Sequence, residues 1–123
     1  FRDDYKFDFC DTGCGNKLEK GKFDCHHIIP KKQDPGFGPE SPFNYVYICK
    51  SCHGDFTHRK EKRKMRIEGL KKNKLVTFNT VFQMLTMDGI KKNQIKYLFD
   101  EKYLSEKEFK YLIDLLEKKI KSN

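Results

Sequence analysis

The segment CKSCH at residues 49–53 decides the fold of this chain more than any other stretch. Its two cysteines, Cys49 and Cys52, have two residues between them, and thiolates at this spacing can bind the same zinc ion. A second pair, Cys10 and Cys14, lies upstream with three residues between its members. Because zinc favours four tetrahedral ligands, the two pairs predict a structural zinc site that encloses the chain between them.

The fifth cysteine, Cys25, has no close partner in the sequence. Two close pairs and one remaining cysteine fit a metal site in a reducing compartment better than a disulfide framework. Cys25 is either a small buried apolar side chain or a replacement for Cys10 or Cys14 as a zinc ligand. The alternative to a zinc site is two incidental pairs of reduced thiols.

Composition limits the class of protein. The chain has 123 residues, of which 36% are charged and 37% are hydrophobic. This predicts one domain, or a small domain with an appendage, whose modest core would be stabilised by bound zinc. No apolar run approaches the length of a membrane span, and no signal peptide is visible. We therefore expect an intracellular, cytoplasmic protein with no membrane partner.

Positive charge is concentrated in the second half of the chain. Residues 1–60 carry 10 Lys/Arg and 9 Asp/Glu, a net of +1, whereas residues 61–123 carry 16 and 9, a net of +7. This asymmetry indicates either a polyanionic partner such as nucleic acid or a solvated helix face. The candidate nucleic-acid contacts begin directly after the histidines and are Arg59, Lys60, Lys62, Arg63, Lys64 and Arg66.

Local patterns in the first half predict short strands followed by a helix. Alternating apolar residues, β-branched residues and aromatic residues favour strands, and clustered Gly and Pro favour a loop. The expected elements are a strand at residues 5–9, a strand at 22–29, a loop at 31–43, a strand at 45–48 and one basic helix from 51 to about 67, ending near Gly69.

The second half predicts helices only. The first of them is expected to begin at Thr77 or Asn79. Apolar residues at helical spacing indicate another around Ile95. Ser105 and Glu108 have the spacing of a capping box, which would start the last helix. The last two helices would form a helical hairpin.

Three of the four histidines lie in or beside these motifs. His26 and His27 are adjacent on a predicted strand, where successive side chains point to opposite faces. One of them can therefore bind a metal while the other acts on a water molecule. His53 follows Cys52 directly, so the zinc site would bring it close to that strand. One metal for the fold and a second for chemistry indicate a nuclease.

The pattern formed by His27, Asn44 and His53 resembles the HNH endonuclease family, whose fold is called ββα-metal. These residues lie within the segments HHIIP, NYVYIC and CKSCH. The similarity covers roughly residues 8–60 and includes the order strand, loop, strand and helix. Its joint pattern is far more specific than any one of its parts.

The resemblance implies an α+β fold. A ββα-metal core stapled by zinc would occupy residues 1–70, and a helical C-terminal extension would occupy residues 71–123. The extension would offer a surface for a homodimer or a larger complex. The alternative is that its apolar positions only pack on residues 75–90.

The resemblance also implies roles for the site residues. His27 would be the general base that takes a proton from the attacking water, and Asn44 would steady the loop and orient His27 through a hydrogen bond. His26 and His53 would bind the catalytic metal, which would stabilise the leaving 3′ oxygen. Asp24 would support the metal ligands from behind.

The sequence departs from the family at three points. The first cysteine pair has three intervening residues where two are usual. His26 takes a ligand position where Asp is commoner, so Mg²⁺, Mn²⁺, Ni²⁺ and Zn²⁺ all stay open as the catalytic ion. The position of a third ligand in some relatives is Thr57 here. His58 is the candidate third ligand, although it lies about 140° around a helix from His53.

The sequence thus predicts a metal-dependent endonuclease that hydrolyses phosphodiester bonds of duplex or branched DNA. One alternative is a non-catalytic, zinc-stabilised nucleic-acid-binding module, which would need the cysteines and the basic helix but not His27 or Asn44. Another is a protein-interaction module stapled by zinc, which would have no salt-sensitive affinity for DNA.

Overall fold

The computed structural model describes residues 9–19, 21–73 and 76–121. Two antiparallel strands and five helices within these ranges confirm the α+β class. None of the described helices is long and apolar enough to span a membrane. In chain order the elements are β1 Phe23–His27, a 3₁₀ turn Pro42–Asn44, β2 Tyr45–Cys49, α1 Lys50–His58, α2 Lys60–Lys72, α3 Phe78–Met87, α4 Lys92–Asp100 and α5 Glu106–Lys121.

The strand predicted at residues 5–9 falls mostly outside the described residues. Only its last residue, Phe9, is described, and it forms an isolated antiparallel bridge with Lys17. This bridge closes the turn that carries Cys10 and Cys14. The other two predicted strands are confirmed as β1 and β2.

Strands β1 and β2 form a hairpin in which His26 is paired with Val46, and His27 with Tyr45. The side chains of Val46 and Ile48 on β2 are buried. Helix α1 begins directly after β2, and the Cys49 sulfur accepts a hydrogen bond from the amide of Cys52 at 3.4 Å. The second cysteine pair therefore forms the junction between strand and helix.

The single basic helix predicted from residue 51 to about 67 is wrong. Arg59 has φ −128° and ψ 84°, which is not helical, and it separates α1 from α2. Buried Asp55 on α1 lies 2.9 Å from Arg66 on α2 and 3.5 Å from Arg59. Residues 55 and 66 would lie about 16 Å apart along a straight helix. The pairing of Asp55 with Arg66 therefore requires α2 to turn back over α1.

Helix α2 also continues past Gly69 to Lys72. A Cβ atom at Gly69 would lie 2.1 Å from the carbonyl oxygen of Thr12. The glycine therefore permits close packing of α2 on the first cysteine turn and does not end the helix. A boundary at residue 70 would fall inside α2, so the division of the chain at that point stays a prediction.

Helices α3 and α5 begin as their caps predict. Thr77 and Thr80 form a reciprocal capping box before α3. The amide of Ser105 donates to Glu108 Oε1 at 2.9 Å, and the Glu108 amide donates to Ser105 Oγ at 3.1 Å. Apolar side chains of α5 such as Leu112 are buried in the common core. Packing within the chain thus accounts for much of the apolar face of α5.

Candidate active site

The four cysteines predicted to bind zinc lie together. The sulfur atoms of Cys10, Cys14, Cys49 and Cys52 all lie within 4.8 Å of one another. Zinc–sulfur bonds of about 2.3 Å in a tetrahedron place sulfur atoms about 3.8 Å apart. The distance between Cys14 Sγ and Cys49 Sγ is 3.8 Å. The donor set and its spacing therefore fit a structural zinc ion.

Polar groups around the cysteine cluster favour negative charge on sulfur. Asn16 Nδ2 donates to Cys49 Sγ at 3.4 Å, and the Cys49 amide donates to Cys10 Sγ at the same distance. The Thr12 hydroxyl lies 3.1 Å from Cys10 Sγ and 3.2 Å from Cys52 Sγ. Such contacts stabilise thiolates, which are the zinc-binding form of cysteine.

The pKa values of two cluster cysteines also favour a bound cation. A hydrogen bond from Cys52, opposed by burial, lowers the pKa of Cys10 to about 4. That hydrogen bond and burial together raise the pKa of Cys52. Closely packed buried thiolates repel one another, so a proton is retained unless a cation takes its place. Metal binding would therefore release protons.

Cys25 does not belong to the cluster. Its side chain is exposed on β1, so the interpretation of Cys25 as a buried apolar residue is wrong. The four clustered sulfurs leave it no place as a substitute for Cys10 or Cys14.

The three histidines singled out from the sequence line one cleft of about 280 Å³. His26 lies on the side of α1, stacked on Phe56 at 4.7 Å between ring centroids. The ring of His53 lies 5.8 Å from that of His26. His27 lies towards β2, with its ring edge-on to Tyr45 at 4.6 Å. The two adjacent histidines thus have different neighbours, as alternation along a strand predicts, yet both reach the cleft.

His26 is held in its neutral form. Burial, with smaller contributions from the charges of His53 and Arg63, lowers the pKa of His26 to about 4. Its imidazole therefore keeps a lone pair at neutral pH, as a metal ligand must.

Asp24 orients His53. Nδ1 of His53 donates to Asp24 Oδ2 at 2.8 Å, and Lys50 Nζ donates to Asp24 Oδ1 at 2.6 Å. Burial would raise the pKa of Asp24, but the hydrogen bonds from Lys50 and His53 outweigh it and lower that pKa. The ionised carboxylate fixes the His53 tautomer and leaves Nε2 as the ligand atom, an arrangement common behind metal-binding histidines.

A carboxylate also contacts His27. Nε2 of His27 donates to Glu40 Oε1 at 3.1 Å, and Lys31 Nζ donates to the same oxygen at 2.9 Å. Hydrogen bonds from Lys31 and His27 lower the pKa of the Glu40 carboxyl. In a neutral imidazole whose Nε2 carries the proton, Nδ1 carries the lone pair.

Asn44 is fully buried and fastens the base of the loop at residues 31–43. Its Oδ1 accepts from the Ile29 amide at 2.7 Å, and its Nδ2 donates to the carbonyl oxygens of Ile29 at 3.1 Å and Pro39 at 3.2 Å. These bonds end on backbone atoms two residues after His27 and directly before Glu40, and not on the His27 ring. Asn44 therefore acts on His27 through the backbone.

His58 lies apart from the other histidines. It is the exposed last residue of α1 and is not among the residues that line the cleft. Thr57 lines the cleft in its place, and its hydroxyl donates to the His53 carbonyl oxygen at 3.0 Å. The helix geometry thus turns residue 57, not 58, towards His53.

The predicted basic contacts divide into two groups. Arg63 pairs with Glu101 at 2.5 Å and donates to the Tyr97 hydroxyl at 3.0 Å, and Arg66 pairs with Asp55. These two arginines join helices within the protein. The exposed side chains are those of Arg59, Lys62 and Lys64, and the side chain of Lys60 lies outside the described residues.

A family model described as HNH endonuclease matches residues 10–59, which include all four cysteines, Asn44 and the three cleft histidines. Over these residues the chain is therefore similar to the HNH endonuclease family. An HNH domain indicates a nuclease or a nucleic-acid-binding module, with DNA as substrate or partner. No curated protein and no solved structure matches the chain.

Sequence reasoning missed the contribution of the loop to the histidine cleft. Lys31, Lys32 and Gln33 line it, and Glu40 contacts His27. Lys31 and Lys32 follow HHIIP directly in the sequence, but the longer basic stretch after the histidines drew attention away from them. Glu40 had no sequence signal, because its contact depends on how the Gly/Pro-rich loop folds back.

Proposed function

We propose that this protein is a metal-dependent endonuclease that hydrolyses DNA phosphodiester bonds. The observation that carries the proposal is the joint placement of His26, His27 and His53 in one cleft lined by lysines. A zinc module that only bound nucleic acid would need neither an oriented His53 nor a neutral, partly buried His26. Both features favour catalysis over the alternative of a non-catalytic nucleic-acid-binding module.

His26 and His53 would hold the catalytic divalent metal. Neutral imidazole nitrogens suit Mn²⁺, Ni²⁺ or Zn²⁺ better than Mg²⁺. Among the described residues, no third His, Cys, Asp or Glu forms a cluster with them. The remaining ligands would be water and phosphate oxygens, which leaves the position open to substrate. When bound, the ion supplies positive charge that stabilises the phosphorane and the leaving 3′ oxygen.

His27 would act as the general base. Its Nδ1 would accept a proton from the water that attacks phosphorus, while Glu40 holds the proton on Nε2 and stabilises the imidazolium that forms. Asn44 keeps β1 and the end of the loop in register, so that His27 and Glu40 stay aligned. Lys31 and Lys32 would bind phosphate oxygens beside the reacting bond.

The exposed basic residues at the start of α2 would contact the DNA backbone away from the cleft. Lys62 and Lys64 are available for this role, and Arg59 is exposed although it also lies 3.5 Å from Asp55. Arg63 and Arg66 are engaged within the protein. We place the enzyme inside the cell, where reduced cysteines and nucleic acid occur together. Assembly through the C-terminal helices stays a prediction from the sequence.

Cleavage of supercoiled plasmid with Mg²⁺, Mn²⁺ or Ni²⁺ tests the proposal. Loss of the base in His27→Ala is expected to reduce metal-dependent cleavage by about 10²- to 10⁴-fold without changing zinc content. His58→Ala is the matched control, because it removes an exposed imidazole outside the cleft. Absence of cleavage by folded, zinc-loaded wild type with every metal would instead support the binding module.

A further inference from the structure

A buried glutamine in the C-terminal helices reaches the loop of the HNH cleft. Gln94 is 3% exposed and lies in the first turn of α4. Its Nε2 donates to the carbonyl oxygens of Gly36 at 2.9 Å and Phe37 at 3.0 Å. Its Oε1 accepts from the Lys91 amide at 2.6 Å. The side chain thus joins the start of α4 to a segment nearly 60 residues earlier in the chain.

The segment held by Gln94 is the tip of the loop that lines the cleft. Phe37 has φ +56°, a conformation that a residue with a side chain rarely adopts, so outside contacts are needed to maintain it. The amide of Phe37 donates to the Lys31 carbonyl oxygen at 3.1 Å. The position of Lys31 in the cleft is therefore linked to Phe37, and through it to Gln94.

A second contact from the same helix start supports this link. Lys91 Nζ lies 6.0 Å from the centre of the Phe37 ring, at the edge of cation–π range. The Lys91 amide is also the donor to Gln94. The start of α4 therefore contacts the loop tip through both a buried amide and a lysine.

We propose that Gln94 is a positioning residue for DNA binding: it fixes the loop so that Lys31 and Lys32 face the phosphates in the cleft. This inference rests on the proposed function, because it assigns those lysines to substrate. It makes the C-terminal helical part a component of the substrate site. A rigid loop would bind DNA with a smaller loss of conformational freedom than a mobile one.

Gln94→Glu is the variant that isolates this role. It keeps Oε1 as acceptor for the Lys91 amide, and a carboxylate is favourable in the first turn of a helix. It removes both donors and places a charged oxygen against two carbonyl oxygens, so the clamp is lost while α4 is kept. Asn93→Asp is the matched control, because it makes the same amide-to-acid change at the adjacent, exposed position.

For DNA cleavage we expect Gln94→Glu to raise KM about tenfold, with kcat within about twofold of wild type. Asn93→Asp should leave KM close to wild type. In a Lys31→Ala/Lys32→Ala background, Gln94→Glu should have little further effect, since the groups that it positions are gone. Amide hydrogen exchange at Phe37 and Gly38 should accelerate in Gln94→Glu only.

Two results would overturn the inference. One is faster exchange in the loop with an unchanged KM, which would make Gln94 a purely structural contact. The other is an equally large increase in KM when Gln94→Glu is made in the Lys31→Ala/Lys32→Ala background. If wild type does not cleave DNA, the proposed function fails, but the same cycle can be measured from the dissociation constant of a DNA duplex. There, non-additivity supports the role of Gln94 and additivity refutes it.

Discussion

The cysteine cluster and the histidine cleft meet at the start of α1, where Cys52 belongs to the cluster and the adjacent His53 to the cleft, yet the two sites differ in composition and burial. The cluster is mostly buried, has four like ligands and is surrounded by donors that stabilise thiolates. The cleft is open, offers two imidazoles and is bordered by lysines. A complete ligand set suits a metal that only holds the fold, and an incomplete set suits a metal that must bind substrate. The two sites should therefore respond very differently to similar substitutions.

The largest effect is expected at the cluster. Cys52→Ser removes one of four zinc ligands, and zinc binding contributes about 10–16 kcal/mol in small zinc peptides. Ordinary domains have a total stability of only about 5–15 kcal/mol. We expect loss of stoichiometric zinc and of the cooperative thermal transition, measured by metal analysis and circular dichroism. Cys25→Ser, at the exposed cysteine, should change neither, and a folded zinc-free Cys52→Ser protein would contradict the structural role.

An intermediate effect is expected behind the cleft. Asp24→Asn removes the carboxylate that orients His53, and such changes commonly lower metal affinity or activity by about 10- to 100-fold. When cleavage is measured against Mn²⁺ concentration, the variant should need more Mn²⁺ for half-maximal activity. Its zinc content and melting temperature should stay near wild type. Asp100→Asn, an exposed change on α4, serves as control. Equal losses in both variants would argue against a specific role for Asp24.

The smallest effect is expected on the basic surface outside the cysteine cluster and the histidine cleft. Lys62→Ala/Lys64→Ala should weaken DNA binding and reduce the slope of log affinity against log salt by about 1.8, or 0.9 per lost phosphate contact. Arg66→Ala should instead lower thermal stability, because it leaves buried Asp55 without its closest cation. Salt titrations and melting curves distinguish the two variants. An unchanged slope in the double lysine variant would remove these residues from the DNA interface.

Local sequence patterns predicted most of the fold, because they depend on contacts between near neighbours. Thr77, Ser105 and the cysteine spacings each fix an element end or a ligand pair within a few residues. The break at Arg59 was not predictable in this way, since no Gly or Pro marks it. It results from the pairing of Asp55 with Arg66 after the chain has folded back.

In the candidate site, too, the sequence predicted the residues that belong to local motifs but not most contacts between distant segments. Motif spacing identified His26, His27 and His53, which the fold brings to one cleft. Asp24, two residues before His26, was predicted to support the metal ligands, although its contact with His53 depends on the fold. The contact of Glu40 with His27 was not predicted. The contact of Gln94 with the loop joins segments that are still further apart in the chain. Contacts between distant segments leave little trace in a single sequence.

The narrow base of the cleft loop has a consequence for how the loop can vary in length and sequence. A Cβ atom at Gly38 would lie 1.8 Å from the Ile29 carbonyl oxygen, so only glycine fits where the returning chain crosses the end of β1. The Gly38 amide closes this crossing by donating to Pro30. The loop between Pro30 and Gly38 can therefore lengthen or shorten without displacing His27. This crossing would allow evolution, or a protein engineer, to replace the loop tip while the cleft histidines stay in place.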